Sequence, residues 1–105
     1  MRTQTIVLTG HLTVEALARA LATVDARESS VLLVDAAGMT GYDNAARDRF
    51  VAWNAEARDR IKAVAIVTDR ALWRVVITAM SLASRQRMQA FATRPEAEAW
   101  ANGLG

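Results

Sequence analysis

Residues 31 to 35 are Val-Leu-Leu-Val-Asp, a continuous apolar run that ends in a carboxylate. Successive side chains of a β-strand point to opposite faces of a sheet, so a run without polar alternation predicts a strand that is buried on both faces. Strands of that kind occur in parallel sheets that carry helices on their faces. A second run of the same character, Ala63 to Val67, predicts a second such strand.

Weaker patterns on either side of these runs predict the remaining elements. The β-branched run Thr5 to Thr9 predicts a first strand that stops at Gly10, and the alternating segment Arg87 to Ala92 predicts an edge strand. Apolar residues at helical spacing predict four helices. We expect these helices over about 14–26, from Asp43 or Asn44 to Ala57, from Asp69 to Ala83 and from Thr93 to Leu104.

Strands and helices therefore alternate as βαβαβαβα, which predicts one α/β domain over residues 1–105. Its sheet is four-stranded and mostly parallel, with helices packed on its faces. The expected side-chain caps of the four helices are Thr13, Asp43 or Asn44, Asp69, and Thr93 with Glu96 three residues later.

The composition excludes several classes of protein. The 105 residues contain no cysteine and one histidine, which removes disulfides, thiol catalysis and a histidine-rich metal site. Thirteen basic and eleven acidic residues are interspersed, with a net charge of +2, so we expect no nucleic-acid partner. No apolar stretch is long enough to cross a bilayer and no secretory signal is visible, so we expect a cytoplasmic protein without stable membrane insertion.

Ligands and partners of such sheets gather where the strands end at their carboxyl termini. Here that edge, called the rim below, comprises residues 10–12, 35–43 and 68–70. Asp35, Asp43 and Asp69 lie on it, and a carboxylate trio can bind magnesium, but we favour helix caps and a strand end, and expect no metal or cofactor. Glycines at 38 and 41 predict a structured loop with special backbone angles, without the signature of a P-loop or a dinucleotide fold.

Two further features of the sequence leave alternatives open. His11 beside an aspartate can form an acid–base pair, but no nucleophile–base–orienter set accompanies it, so we expect no enzyme. Trp73, flanked by Arg70 and Arg74, is predicted either to be a core residue or to stack on a ligand or partner. The third helix is apolar over a wide arc, and a homodimer interface is one role for such an exposed patch.

Two segments resemble the signatures of STAS domains, the anti-sigma factor antagonist fold. They are residues 5–13, Thr-Ile-Val-Leu-Thr-Gly-His-Leu-Thr, and residues 31–40, Val-Leu-Leu-Val-Asp-Ala-Ala-Gly-Met-Thr. Ala63 to Asp69, Trp73 and Phe91 to Trp100 are similar to the SpoIIAA-like branch of that family. The resemblance covers most of the chain and implies a bacterial, non-catalytic regulatory domain that docks a protein partner.

The same resemblance implies where that partner docks. In antagonist-type STAS domains, a partner kinase phosphorylates a serine or threonine at the start of the helix after the second signature. The matching positions here are Asn44 and Ala45, so that phosphoacceptor is absent, and Thr40 is the only serine or threonine left on the loop. We expect partner contacts from Gly38, Met39, Thr40, Gly41, Tyr42, Asp43, Asn44 and Arg47. We also expect His11, Asp69, Arg70 and Trp73 to contact a ligand or a partner.

A small-ligand or lipid-binding domain is the alternative function. SpoIIAA-like proteins resemble lipid-transfer domains in fold, and the third helix, from Leu72 to Ala83, is apolar enough to cover a pocket. A bound small molecule would distinguish this alternative from a docking module.

Overall fold

The computed structural model describes residues 2–104, in which four strands and four helices alternate. The elements are β1 (Arg2–Leu12), α1 (Val14–Leu21), β2 (Ser30–Tyr42), α2 (Asn44–Ala57), β3 (Ile61–Val67), α3 (Ala71–Ser84), β4 (Met88–Phe91) and α4 (Arg94–Gly103). The strands form one sheet in the order β1-β2-β3-β4, and each neighbouring pair is parallel. The predicted α/β architecture is confirmed.

The strand order decides which face of the sheet each helix covers. Each crossover moves the chain by one strand in the same direction, and right-handed crossovers then place α1, α2 and α3 on one face. On that face, Phe50 and Ile77 belong to the same core as Leu32. Helix α4 follows the last strand and covers the opposite face, where Ala97 packs in a second core with Leu33. Adjacent residues of β2 thus enter different cores, which explains the unalternating run.

Two predicted boundaries are wrong at the carboxyl ends of β1 and β2. Strand β1 continues past Gly10 to Leu12, and residues 36–42, predicted as a loop, form the second half of β2. The two strands pair as far as Leu12 and Tyr42. This main-chain pairing outweighs the low strand propensity of glycine.

Helix α1 ends at Leu21, earlier than predicted, because a buried side chain binds the segment that follows it. The Gln4 amide nitrogen donates to the Asp25 carbonyl at 2.7 Å, and the Asp25 N–H donates to Gln4 Oε1 at 2.7 Å. Both main-chain groups of Asp25 are therefore committed to β1 and cannot continue the helix.

Two of the predicted caps are confirmed. The Ala16 N–H donates to Thr13 Oγ1 at 3.1 Å at the start of α1. At the start of α4, the Glu96 N–H donates to Thr93 Oγ1 at 3.4 Å, and the Thr93 hydroxyl donates to the Glu96 carboxylate at 2.9 Å. This is a variant of the capping box, in which the Glu96 carboxylate binds the Thr93 hydroxyl instead of the Thr93 main-chain N–H.

The predicted cap of the third helix is wrong. Helix α3 begins at Ala71, with Arg70 in the cap position and no side-chain cap bond, and Asp69 lies outside it. The Arg70 N–H donates to Thr68 Oγ1 at 3.3 Å, so a threonine binds the segment before the helix. Asp43 does occupy the cap position of α2, but its carboxylate makes no cap bond there.

The wide apolar arc of α3 is divided between the core and the surface. Ile77 is buried, and Trp73 is partly buried against the larger core, as Trp53 is from α2. The outer side of the helix carries three exposed apolar side chains: Leu72 at 74%, Val75 at 66% and Leu82 at 78% exposure.

Replacing Gly10 is predicted to destabilise the fold through its backbone angle. Its φ is +67°, and an added Cβ would meet no atom within 4 Å, so the cost of Gly10→Ala is conformational. We expect a loss of about 1–2 kcal/mol in the free energy of unfolding, measured by urea denaturation. Gly103→Ala is the matched control, because Gly103 also has open space but no positive φ. Equal effects of the two substitutions would contradict this account.

Candidate functional site

The first two strands extend beyond the rest of the sheet and form an arm. Strand β3 ends at Val67, opposite Asp35, so residues 36–42 of β2 pair only with the end of β1. The pairing register shifts between Val7 and Thr9 and again between Gly10 and His11, with one additional residue of β2 at each shift. Bulges of this kind bend a strand and increase its twist. The arm, residues 9–12 and 36–42, is the structure that sequence patterns predicted as a glycine loop.

Gly38 and Gly41, the glycines of β2, serve close packing rather than unusual backbone angles, which corrects the prediction made for them. Gly38 pairs with Thr9, and a Cβ on Gly38 would lie 3.1 Å from Thr9 Cγ2. Gly41 pairs with His11, and a Cβ on Gly41 would lie 3.0 Å from His11 Nδ1. Neither glycine has a positive φ. The side chains of β1 lie across the bare backbone of β2.

One polar contact joins the end of the arm to the start of α2. His11 Nε2 lies 2.7 Å from Asp43 Oδ1, with both side chains about half exposed. The Asp43 N–H also donates to the Leu12 carbonyl at 2.9 Å. The carboxylate that the sequence predicted as a helix cap therefore binds the histidine instead, and this contact fixes the corner between arm and helix.

A second group of contacts joins the arm to the start of α3. The Arg70 guanidinium donates to the Thr40 carbonyl at 3.3 Å and lies over the Trp73 ring, 4.5 Å from its centroid. The Trp73 ring meets Tyr42 edge-on, with centroids 5.7 Å apart. The Arg70 guanidinium thus lies between a carbonyl oxygen and an aromatic face, and both attract a cation.

The structure brings most of the predicted contact residues to one surface. Thr40, Asp43 and Asn44 are exposed, and Tyr42 and Arg47 are partly buried beside them. Among the candidates, Met39 differs, because its side chain packs in the larger core with 6% exposure and offers no contact surface. The bulge between Asp35 and Gly38 explains this, because its additional residue shifts the alternation that runs through Val34 and Ala36 and turns Met39 toward the core.

The three rim aspartates do not face one another. The Asp35 carboxylate lies on the face covered by α4, where it accepts from the Ala37 N–H at 3.2 Å and pairs with Arg94 at 3.5 Å. Asp43 binds His11, and Asp69 is exposed on the segment before α3. Among residues 2–104, no three histidine or carboxylate side chains gather as metal ligands would.

A cavity of about 80 Å³ lies behind this surface, between the sheet and helices α2 and α3. Its partly exposed lining residues lie at its mouth: Tyr42, Arg47, Trp73, Val76 and Met80. Only Arg47 and Thr68 contribute side chains that are neither aliphatic nor aromatic. The other lining residues are apolar: Leu8, Leu12, Leu17, Val34, Ala36, Met39, Ala46, Phe50, Ile66, Val76, Ile77 and Met80.

Sequence patterns correctly placed several of these lining residues on the inner faces of helices. They did not predict that the residues surround a cavity. Phe50 and Met80 lie on predicted apolar stripes, and a stripe gives no measure of how closely two helices approach. In the sequence, Ala46 was a signal of the cavity. It is a small residue at a core position of α2, and it leaves space that a larger side chain would fill.

Comparison with known proteins agrees with this fold. A model of the SpoIIAA-like protein family matches residues 4–102, so the chain belongs to the SpoIIAA-like family. Proteins of this family are generally regulatory and generally non-catalytic. The resemblance inferred from the two signature segments is confirmed.

A solved structure has the same fold. It is the crystal structure, at 2.25 Å resolution, of an uncharacterized protein from the DUF3478 family with a SpoIIAA-like fold, from Shewanella loihica PV-4. The two chains share 19% sequence identity with a TM-score of 0.69, over 92% of this chain and 82% of the other. No curated protein matches the sequence. Within the part of the chain that the structure describes, no helix has the length and apolar character needed to span a membrane.

The contacts of Arg70 are expected to contribute measurably to stability. Arg70→Ala removes the stacking on Trp73 and the bond to the Thr40 carbonyl, and we expect a loss of about 1 kcal/mol in the free energy of unfolding. Arg74→Ala is the matched control, because Arg74 is exposed one turn later and should change stability by about 0.5 kcal/mol or less. Urea denaturation followed by tryptophan fluorescence measures both. If the two variants unfold alike, the contacts of Arg70 do not stabilise the arm.

Proposed function

We propose that the protein is a regulatory interaction module that docks a protein partner through the arm and the start of α2. The observation that supports this most directly is the projection of the arm beyond β3, so that residues 36–42 have a strand neighbour on one side only. Ala37, Gly38 and Thr40 are exposed on this segment, and it continues into exposed Asp43 and Asn44 at the start of α2.

The contacts around the arm prepare this surface for binding. His11 bound to Asp43 fixes the corner, and Arg70 bound to the Thr40 carbonyl fixes the opposite side. A surface that is already ordered loses less conformational entropy when a partner binds, which favours affinity. Exposed Asp43 and partly buried Arg47 give the surface both signs of charge, which favours a polar and specific contact.

In this proposal docking does not depend on the usual phosphorylation. Asn44 and Ala45 at the start of α2 carry no hydroxyl. Thr40 has an exposed side chain, but it lies on the arm, four residues before Asn44, and not at the position of the usual phosphoacceptor. We therefore expect the module to bind its partner in the unmodified state, with regulation coming from the amount of partner.

Site-directed cross-linking tests the docking surface. The chain has no cysteine, so Asn44→Cys introduces a single site for a photo-reactive label on the exposed start of α2. In extracts of the source cells we expect this label to form one main protein adduct, identified by mass spectrometry. The same label on Asn102→Cys, exposed on α4, should not form it.

A substitution pair then tests whether the adduct reports specific docking. Thr40→Arg with Asn44→Arg places two large cations on the surface without touching the cavity lining, and should reduce binding of the recovered partner at least tenfold. Ala99→Arg with Asn102→Arg adds the same charge on α4 and should leave binding unchanged. Binding that survives the first pair would place the docking surface elsewhere.

The cavity supports a second candidate function, the binding of a small apolar ligand. Its lining is almost entirely apolar, and two aromatic side chains, Tyr42 and Trp73, are among the partly exposed residues at its mouth. An engineered apolar cavity of about 150 Å³ binds benzene, so about 80 Å³ accommodates a smaller group, or a larger one if Trp73 moves outward.

Binding of a medium-chain fatty acid, decanoate, tests this second candidate. Decanoate should raise the melting temperature of the protein and add its mass in native mass spectrometry. Ala46→Leu fills the cavity and should abolish both effects, whereas Ala45→Leu, one residue earlier and exposed, should leave both intact. The candidate fails if decanoate has no effect on the unsubstituted protein, or if it acts equally on both variants.

A further inference from the structure

The net charge of the whole chain is only +2, but one long segment contains arginines and no aspartate or glutamate. Residues 70–95 contain five arginines and no aspartate or glutamate, a net charge of +5, so the remaining residues together carry −3. The segment includes all of α3 and β4. Such an asymmetry is hidden in the overall value of +2, and it indicates a surface for an anionic partner.

Two of these arginines remain available, Arg74 within α3 and Arg85 directly after its last residue. The other three are engaged within the fold: Arg70 lies over Trp73, Arg87 lies over Trp100, and Arg94 pairs with Glu98. Arg74 and Arg85 are exposed, and neither forms an ion pair with any residue from 2 to 104. Arg85 has a left-handed backbone, with a φ of 58°, and its N–H donates to the Leu82 carbonyl at 3.4 Å, so the two arginines lie near the two ends of α3.

The exposed apolar residues of α3 form a strip beside these arginines. Leu72, Val75 and Leu82 are each exposed by two thirds or more, and they span about 15 Å along the helix. They protrude on the side of the helix opposite buried Ile77. Val75 also lines the groove between α2 and α3, whereas neither leucine does.

We propose that this outer face of α3 docks onto an anionic lipid bilayer. Leu72, Val75 and Leu82 enter the boundary between headgroups and acyl chains, while Arg74 and Arg85 bind lipid phosphates at the same depth as the headgroups. A helix that lies in the membrane surface combines these features, an apolar face with arginines along its edge. The contact is peripheral and reversible, because one short helix face supplies it.

The composition of the face favours a bilayer over other anionic or apolar partners. If two copies packed α3 against α3, the arginines of one copy would find no aspartate or glutamate on the facing helix, since residues 70–95 contain none. A nucleic acid would neutralise the arginines but leave Leu72 and Leu82 without a role. A helix of another protein would seat in the groove beside Val51 and Val76, where neither leucine lies.

Vesicle flotation tests the proposal at low ionic strength. The protein should float with vesicles of equimolar phosphatidylglycerol and phosphatidylcholine, and remain behind with vesicles of phosphatidylcholine alone. Arg74→Gln with Arg85→Gln should weaken binding to the anionic vesicles by about twentyfold, since each arginine near an anionic surface contributes roughly fivefold. Leu72→Gln with Leu82→Gln should weaken it by about tenfold or more.

Matched variants control for charge and for polarity. Arg58→Gln with Arg60→Gln removes the same charge beyond the end of α2, and Val7→Gln replaces an exposed apolar residue on β1. Both should float as the unsubstituted protein does. Circular dichroism verifies that all four variants are folded.

Three results would overturn the proposal. The first is no flotation with the anionic vesicles. The second is equal loss of binding in the control variants. The third is a dimer in light scattering that the Leu72 and Leu82 substitutions convert to a monomer, without vesicle binding, since α3 would then pack on a second copy. None of these results bears on the arm, whose docking the cross-linking experiment measures separately.

Discussion

The pairing of β1 with β2 beyond the end of β3 is the interaction on which the candidate site depends. Within the sheet, β2 has neighbours on both sides, but after Asp35 only β1 remains. Residues 36–42 would be a free loop without that pairing, and the polar contacts at their ends would have no fixed partners. The pairing requires His11 to lie across the backbone at Gly41, which is possible because that residue has no Cβ. His11 then reaches Asp43, and the arm becomes continuous with α2.

The architecture could be predicted from sequence because its strongest signals are local and repeated. Val31 to Val34 enter alternating cores, and the run of apolar residues records burial on both faces directly. The capping box of Thr93 and Glu96 lies within one turn, so both of its partners are visible in four residues of sequence. Features of this kind do not depend on where distant segments lie.

The errors arose where a distant residue decides a local conformation. Gln4 ends α1 by binding Asp25, and the two are twenty-one residues apart. Asp43 has the chemistry of a cap, yet it binds His11, thirty-two residues away. The glycines at 38 and 41 suggested unusual φ angles, whereas the structure requires them for close packing against β1. Asn54 is completely buried on α2, and its Oδ1 has no hydrogen-bond partner among residues 2–104, which no periodicity indicates.

The site was predicted in its location more successfully than in its form. The carboxyl ends of parallel strands meet at one edge, and this rule placed the candidate residues on the rim. The surroundings of these residues differ from the prediction, because residues 36–42 form part of a strand instead of a loop and Met39 points into the core. The cavity was beyond sequence analysis, since its volume depends on the separation of α2 and α3 from the sheet. Tyr42 and Trp73 connect the two candidate functions, because they lie both on the exposed surface and at the mouth of the cavity.

The arrangement of the helices also has a consequence for synthesis on the ribosome. Helices α1 to α3 and the strands between them can assemble one face of the sheet in the order in which they are made, because each strand pairs with its predecessor. Among residues 2–104, α4 is the helix that covers the other face, so Leu33, Ala65 and Val67 have none of these helices over them until α4 has left the exit tunnel. A nascent chain lacking α4 is therefore an exposed apolar sheet, and we expect a chaperone to bind it at that stage.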